Sequence, residues 1–496
     1  MTRFMRTSAI LLLALLAVGT GALSPRHRPL GRSFVKKNQI RRDAAIVDRN
    51  GTELPPLNTY YFDQLIDHTN PSIGTFKQRY WHTWEFYEAG GPIILTTPRE
   101  GNAEGSEDSL VNSTINGMIA QELNGSTIVL EHRYYGYSNP YDNLSVESLQ
   151  YHTIQQAIDD FEYIAYNVKL PMPGGDHVTP DEAPWILIGG SYAGALTSFT
   201  KVNKPDVFYA AWSLSGVVES IADYWGYFNI IRKHMPQNCS ADVQAVIGHV
   251  DSVFTSGNNT AINEIKELFS MHLTHLDDFA SALQHPLFAW QGLQPSSNLS
   301  DPLFFHFCDA LEVKDNQTAP SEGWGLQNAL NSWAGFWKEV CYQRYCDDQD
   351  ADRTCFGRYN ASATYYTDLT VNNADRSWYW ILCNQMGFYQ DGAPDGEPTL
   401  VSCLIQPTYW EVNETNAAYH GWFIKADRLF FSNGEKDPWR VATVSADGTA
   451  CQSTAMQPIV MGDGYHCSDM DAANGETQGI AAMKSWLETW EPPTRR

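Results

Sequence analysis

Apolar residues in this chain gather in short runs. Pro92 to Thr97, Ser126 to Glu131, Pro184 to Gly189, Ala210 to Leu214 and Arg428 to Ser432 are each about one strand long. They show little polar alternation, which is how strands buried on both faces read. Between the early runs the period becomes helical. From Thr153 to Val168, the residues Ile154, Ala157, Ile158, Phe161 and Ile164 fall on one face. Strand alternating with helix predicts a mostly parallel sheet covered on both sides, with functional groups at the carboxyl ends of its strands. From 221 to 404 strand-like runs thin out. Amphipathic helical patterns, aromatic residues and cysteines from Cys239 to Cys403 take over. The expected organisation is an α/β domain in two parts, 43–220 and 405–496, with a helical cap inserted over 221–404.

The third run ends in Gly189-Gly190-Ser191-Tyr192-Ala193-Gly194 and passes into a helix-compatible segment. A strand that turns sharply into a helix with a serine at the apex is a nucleophile elbow. Small residues on either side let strand and helix approach. Ala193 stands where the G-x-S-x-G pattern has its second glycine. Two partners follow in chain order. Asp437 lies three residues beyond the run ending at Gly434, and His466 sits in the Gly-rich segment 462–467. A serine hydroxyl needs a base to take its proton, and the base needs a carboxylate to fix its tautomer. Serine, acid, histidine is the order found in α/β-hydrolases. Taken singly, Asp437 also suits a turn before proline and His466 a surface loop.

At these residues the chain resembles the S28 serine peptidases, the group of lysosomal prolyl carboxypeptidase, dipeptidyl peptidase II and secreted fungal relatives. Four stretches carry the likeness: Phe62 to His68 with Gly74 to Trp81; Glu131-His132-Arg133-Tyr134-Tyr135-Gly136; the elbow with Tyr192; and Asn433-Gly434 with Asp437-Pro438-Trp439, followed by His466. The resemblance implies an α/β-hydrolase fold with a large inserted cap, Ser191 as nucleophile, Asp437 as acid and His466 as base. It also implies cleavage on the carboxyl side of proline, and in some members of alanine. Trp439 matches a pocket tryptophan of the family motif, although it also fits a core role. Ala195 stands where mammalian members have methionine. Trp378 to Gln385 replaces a W-x-x-Q-x-C-T-E string, so Gln385 puts a neutral amide where a glutamate is usual. The backbone N–H of Tyr192 is the expected first oxyanion donor. The second is expected from Pro98 to Gly105, with Gly101 as the candidate. The run Glu131 to Tyr137 either lines the site or braces it, and Tyr134 is its candidate for the pocket.

Length allows one large domain or two among 496 residues. Residues 1–22 read as a secretory signal: Arg3 and Arg6, an apolar core from Ile10 to Val18, then Thr20-Gly21-Ala22. Residues 23–42 are basic and end in Arg41-Arg42, which fits a removable pro-segment or a retained basic arm. No other segment approaches the length of a membrane span. Lys plus Arg total 33 against 57 Asp plus Glu, a net charge of −24. That excess repels nucleic-acid phosphates and suits a secreted protein or the lumen of a lysosome or vacuole. It also suits acidic surroundings. A histidine base working in acid would need burial to lower its pKa.

Nine cysteines behind a signal argue for disulfides with one thiol over. Cys451 and Cys467 bracket His466 and are a candidate bridge. Cys341, Cys346 and Cys355 lack zinc-site spacing. Asp348, Asp350 and Asp352 lack the glycine of a calcium loop and read as a solvated acidic loop. No phosphate-binding lysine motif or H-E-x-x-H helix occurs. Neither metal nor cofactor is therefore expected. Glycosylation sequons fall at Asn50, Asn112, Asn124, Asn143, Asn238, Asn258, Asn298, Asn316, Asn360 and Asn413. The expected partners are proline-containing peptides, and the expected state is a monomer or homodimer. Two rival readings remain: a secreted esterase or lipase with the same triad, and a binding protein on a hydrolase scaffold.

Overall fold

The computed structural model describes residues 46–493 apart from 99, 298–301, 347–354, 406–411, 450 and 471–476. The expected signal and pro-segment, Asn298 and the acidic loop at 348–352 lie outside these residues. Eight strands form one sheet: β1 (Tyr60–Leu65), β2 (Thr75–Thr83), β3 (Ile93–Thr96), β4 (Ser126–Leu130), β5 (Trp185–Gly190), β6 (Ala210–Leu214), β7 (Leu429–Gly434) and β8 (Ile459–Gly462). Their order is β1-β2-β4-β3-β5-β6-β7-β8. β2 runs antiparallel to β1 and β4, and every later pairing is parallel.

The pleat explains the apolar runs. In β5, Trp185 and Leu187 enter one core cluster, while Ile186 and Ile188 enter the cluster on the other face. In β7, Leu429 and Phe431 oppose Phe430 in the same way. Each strand therefore carries apolar residues on both faces. Only β1 alternates along its length, and it lies at the sheet's edge with its outward residues wet. On one face pack α1 (Ile115–Leu123) and the last helix, Thr477–Leu487, through Ile115, Ile119, Met483 and Trp486. On the other pack α2 (Ile154–Asn167) and α3 (Tyr192–Asn203). Thr153 caps α2 by accepting from the Gln156 N–H, as its place before the apolar stripe suggests.

Between β6 and β7 the chain makes a long excursion, mostly helical, that includes α4 (Gly226–His234), α5 (Gln237–Thr255), α6 (Leu303–Glu312) and α7 (Leu326–Phe336). The strands Ile221–Asp223 and Gly387–Tyr389 pair in parallel and bring its two ends together. A disulfide joins Cys239 of α5 to Cys308 of α6, and a second joins Cys346 to Cys355. Cys451 and Cys467 do not bridge. The Cys451 sulfur takes the Gln457 amide at 3.2 Å, whereas that of Cys467 points toward the Leu214 carbonyl. The loop holding His466 is fixed by hydrogen bonds instead.

One buried pair ties the stability of the excursion to pH. Asp242 of α5 accepts from the N–H groups of Trp324 and Gly325, and beside it lies Glu312, only 3 % exposed. Burial, with the Asp242 carboxylate adding to it, raises the Glu312 pKa to about 7. Folding therefore favours the protonated form. Its contribution is complete below the unfolded pKa, near 4.5, and is lost as pH rises through 7. Glu312→Gln should stabilise the protein by about 1–2 kcal/mol at pH 8 and leave it nearly unchanged at pH 4.5, as read from urea unfolding at both pH values.

Candidate active site

Strand β5 delivers Ser191 into a backbone conformation of φ 61°, ψ −127°. A side-chain-bearing residue holds such angles only where its surroundings impose them, at a cost of order 1–3 kcal/mol. The neighbours impose them here. A Cβ on Gly189 would lie 2.2 Å from the Ala193 carbonyl oxygen, so glycine is required for α3 to start this close to the strand. The methyl of Ala193 is accommodated. Tyr192 opens α3, and its N–H is therefore among those without a partner inside the helix.

Asp437 follows β7 and is fully buried. One of its carboxylate oxygens accepts from the Trp439 N–H at 2.8 Å, and both lie 2.9 Å from Nδ1 of His466. His466 Nε2 is 2.8 Å from the Ser191 Oγ. The histidine follows β8, and the hydroxyls of Ser468 and Ser215 accept from the N–H groups on either side of it. The three groups that the sequence places 275 and 29 residues apart thus meet in one contact. Such a chain can move a proton from hydroxyl to ring while the carboxylate stabilises the resulting imidazolium. Burial alone would lower the His466 pKa. The charge and hydrogen bonds of Asp437, with Cys467 beside them, outweigh burial and hold it well above 6.5.

The run Glu131 to Tyr137 braces the site. Glu131 is fully buried and accepts from Arg79 Nη2 and Nε at 2.6 and 2.9 Å, from the Ala103 N–H at 2.9 Å and from the Ser138 hydroxyl at 2.6 Å. Arg79 also donates to Asn102. One ion pair thereby pins the 100–105 loop, including Gly101, beside the β3 end. A Cβ on Gly136, whose φ is +53°, would fall 1.9 Å from a Glu131 oxygen, so the run must have glycine there. Arg133 makes a bidentate pair with Asp160 and donates to the carbonyls of Leu65, Ile66 and Tyr151. His132 stands 3.5 Å from the Tyr192 hydroxyl, and burial lowers its pKa to about 4. Tyr134, expected on the pocket wall, is fully enclosed, and its hydroxyl donates to the Ser148 carbonyl. Gln385, expected near a substrate terminus, accepts from the first N–H of α2, that of Ile154.

Trp439 is half-buried, 6.1 Å from the His466 ring between centroids. Around it stand three aromatic rings that sequence reasoning missed. Tyr224 stacks on it, while Tyr227 and Phe388 meet it edge-on, all at 5.3 Å. All three come from the helical excursion, 51 to 215 residues from Trp439 by number, so no local pattern could have joined them. Of the sequon asparagines, 50, 112, 258, 316, 360 and 413 are exposed, and 124, 143 and 238 are half-buried. Among the described residues no cluster of three His, Cys, Asp or Glu side chains suits a metal, and no helix is long and apolar enough to cross a membrane.

The sheet order, the single reversal at β2 and the strand–serine–helix turn after β5 define an α/β-hydrolase. The chain belongs to the serine carboxypeptidase S28 family, whose model matches residues 64–486. A serine protease of Bipolaris victoriae is 35 % identical over 474 residues, covering 86 % of this chain and 88 % of the relative. The probable extracellular serine carboxypeptidase of Arthroderma benhamiae is 30 % identical, covering 79 % of this chain and 59 % of the relative. Mouse lysosomal Pro-X carboxypeptidase is 24 % identical over 97 % and 96 % of the two chains. Among solved structures, a proline iminopeptidase of Mycobacterium smegmatis aligns over 86 % of this chain and 98 % of its own at TM-score 0.36 and 11 % identity.

Proposed function

We propose that this serine peptidase cleaves on the carboxyl side of proline. Ser191 attacks the carbonyl carbon, and His466 takes the hydroxyl proton while Asp437 orients the ring and stabilises its charge. The Tyr192 N–H and a donor from the Gly101 loop hold the oxyanion. His466 returns the proton to the leaving amine, and water then hydrolyses the acyl-serine by the same route. The 2.8 Å contact of Ser191 Oγ with His466 Nε2 carries the reading. The half-buried ring of Trp439, backed by the buried rings of Tyr224, Tyr227 and Phe388, supports proline as the residue before the scissile bond, because a flat apolar wall suits a pyrrolidine ring.

Helices over 221–404 would then form a cap on a hydrolase domain made of 43–220 and 405–496. Residues 1–22 and 23–42 would serve export and processing, and the exposed sequons fit glycosylation on that route. The test is one proline-containing peptide, offered with its ends free or blocked, its products identified by mass spectrometry. Cleavage after proline supports the reading. The free and blocked forms separate release from either end from internal cleavage. Turnover of simple acyl esters with the peptide intact would favour an esterase. A fluorophosphonate probe that fails to label Ser191 would favour a binding protein. With His466 raised, the kcat/KM profile of the free enzyme should fall on the acid side with an apparent pKa above 6.5.

A further inference from the structure

The turn Ala289–Gly292 in the helical excursion reaches both loops of the proposed triad. Trp290 donates from its indole N–H to the carbonyl of Lys436, the residue before Asp437, at 2.8 Å. Its ring also meets that of Tyr465, the residue before His466, edge-on at 5.2 Å. So anchored, the turn presents Gln291, which is 8 % exposed. The Gln291 Oε1 accepts from the Trp439 indole N–H at 2.8 Å and from the Tyr227 hydroxyl at 3.0 Å. Two donors fill the two lone pairs of one amide oxygen.

Stacked and edge-on rings tolerate sliding and tilting, whereas N–H···O and O–H···O bonds are directional. The rings alone would leave the box adjustable. The shared acceptor fixes Trp439 and Tyr227 at 78° to each other. We propose that Gln291 is a positioning residue that sets the preference for proline, by fixing Trp439 as a rigid wall against the buried Tyr227 ring through its single amide oxygen. The inference rests on reading the open face of Trp439 as the wall that meets proline.

The test uses the full chain and matched peptides with proline or alanine before the scissile bond. Gln291→Met keeps volume and flexibility but removes the acceptor. It should lower the proline-to-alanine ratio of kcat/KM about 5- to 50-fold, mainly through KM for the proline peptide. Labelling of Ser191 by a fluorophosphonate should stay within about twofold of wild type, since Trp290 still holds both triad loops. Gln291→Glu keeps the acceptor and should restore most of the ratio. A merely structural role would lower both peptides and the labelling rate together, and that result overturns the inference. So does an unchanged ratio in Gln291→Met. A wild type that labels at Ser191 yet shows no preference for proline removes the proline reading as well as this one.

Discussion

Ser191→Ala should remove peptide hydrolysis by about four to six orders of magnitude and leave the folded state as stable as wild type. The size follows from how the three groups act. Without the hydroxyl, His466 has no proton to take and no acyl-serine forms, so only binding and oxyanion contacts remain. The neutrality toward folding follows from the elbow. The alanine methyl inherits the backbone angles of Ser191 without adding atoms, and those angles are imposed by the Gly189–Ala193 approach rather than by the hydroxyl. The measurement pairs single-turnover cleavage of a proline peptide with a denaturant melt. Persistent cleavage in the purified variant would show that another residue is the nucleophile.

Arg133→Leu should be the most damaging single change to stability, costing about 3–5 kcal/mol. Its guanidinium is fully buried and pairs with an Asp160 that is 2 % exposed. Burial alone would raise the Asp160 pKa, yet the charge and hydrogen bonds of Arg133, with those of His68, hold it below the usual range. Leucine leaves that carboxylate buried with the His68 ring, 2.8 Å away, as its remaining side-chain partner. It also abandons three backbone carbonyls that Arg133 tied between β1 and the segment before α2. Adding Asp160→Leu should recover at least half of the loss, because an apolar pair in a buried site costs less than one stranded charge. Urea midpoints of the two variants decide it. A double variant no better than the single would show that the carbonyl contacts, not the charge, dominate.

Much of the molecule was readable along the chain. Mostly apolar runs without polar alternation marked β3, β4, β5, β6 and β7 within a residue or two, because a strand covered on both faces needs apolar residues on each. The antiparallel end of the sheet is quieter. Tyr60–Leu65 and Thr75–Thr83 include Asp63, Lys77 and Arg79, and they were noticed only as motif text. β8 was missed because half of its four residues are exposed. The proposed triad was legible since each member ends a strand. The walls around Trp439 were not, because Tyr224, Tyr227, Phe388 and Gln291 come from three separate parts of the excursion. Their only local signal was an abundance of aromatics. The Cys451–Cys467 bridge failed for a related reason: spacing shows which sulfurs flank a loop, not which way they point.

The short parallel ribbon of Ile221–Asp223 with Gly387–Tyr389 makes the helical excursion leave and re-enter the sheet domain at one doorway. Tyr224, beside that doorway, donates its N–H to Tyr389 and lays its ring on Trp439. Lengthening such a closed loop costs little entropy for each added residue. The helices beyond the ribbon can thus vary in length at little entropic cost, provided that the Trp290 turn still reaches the loops of Asp437 and His466.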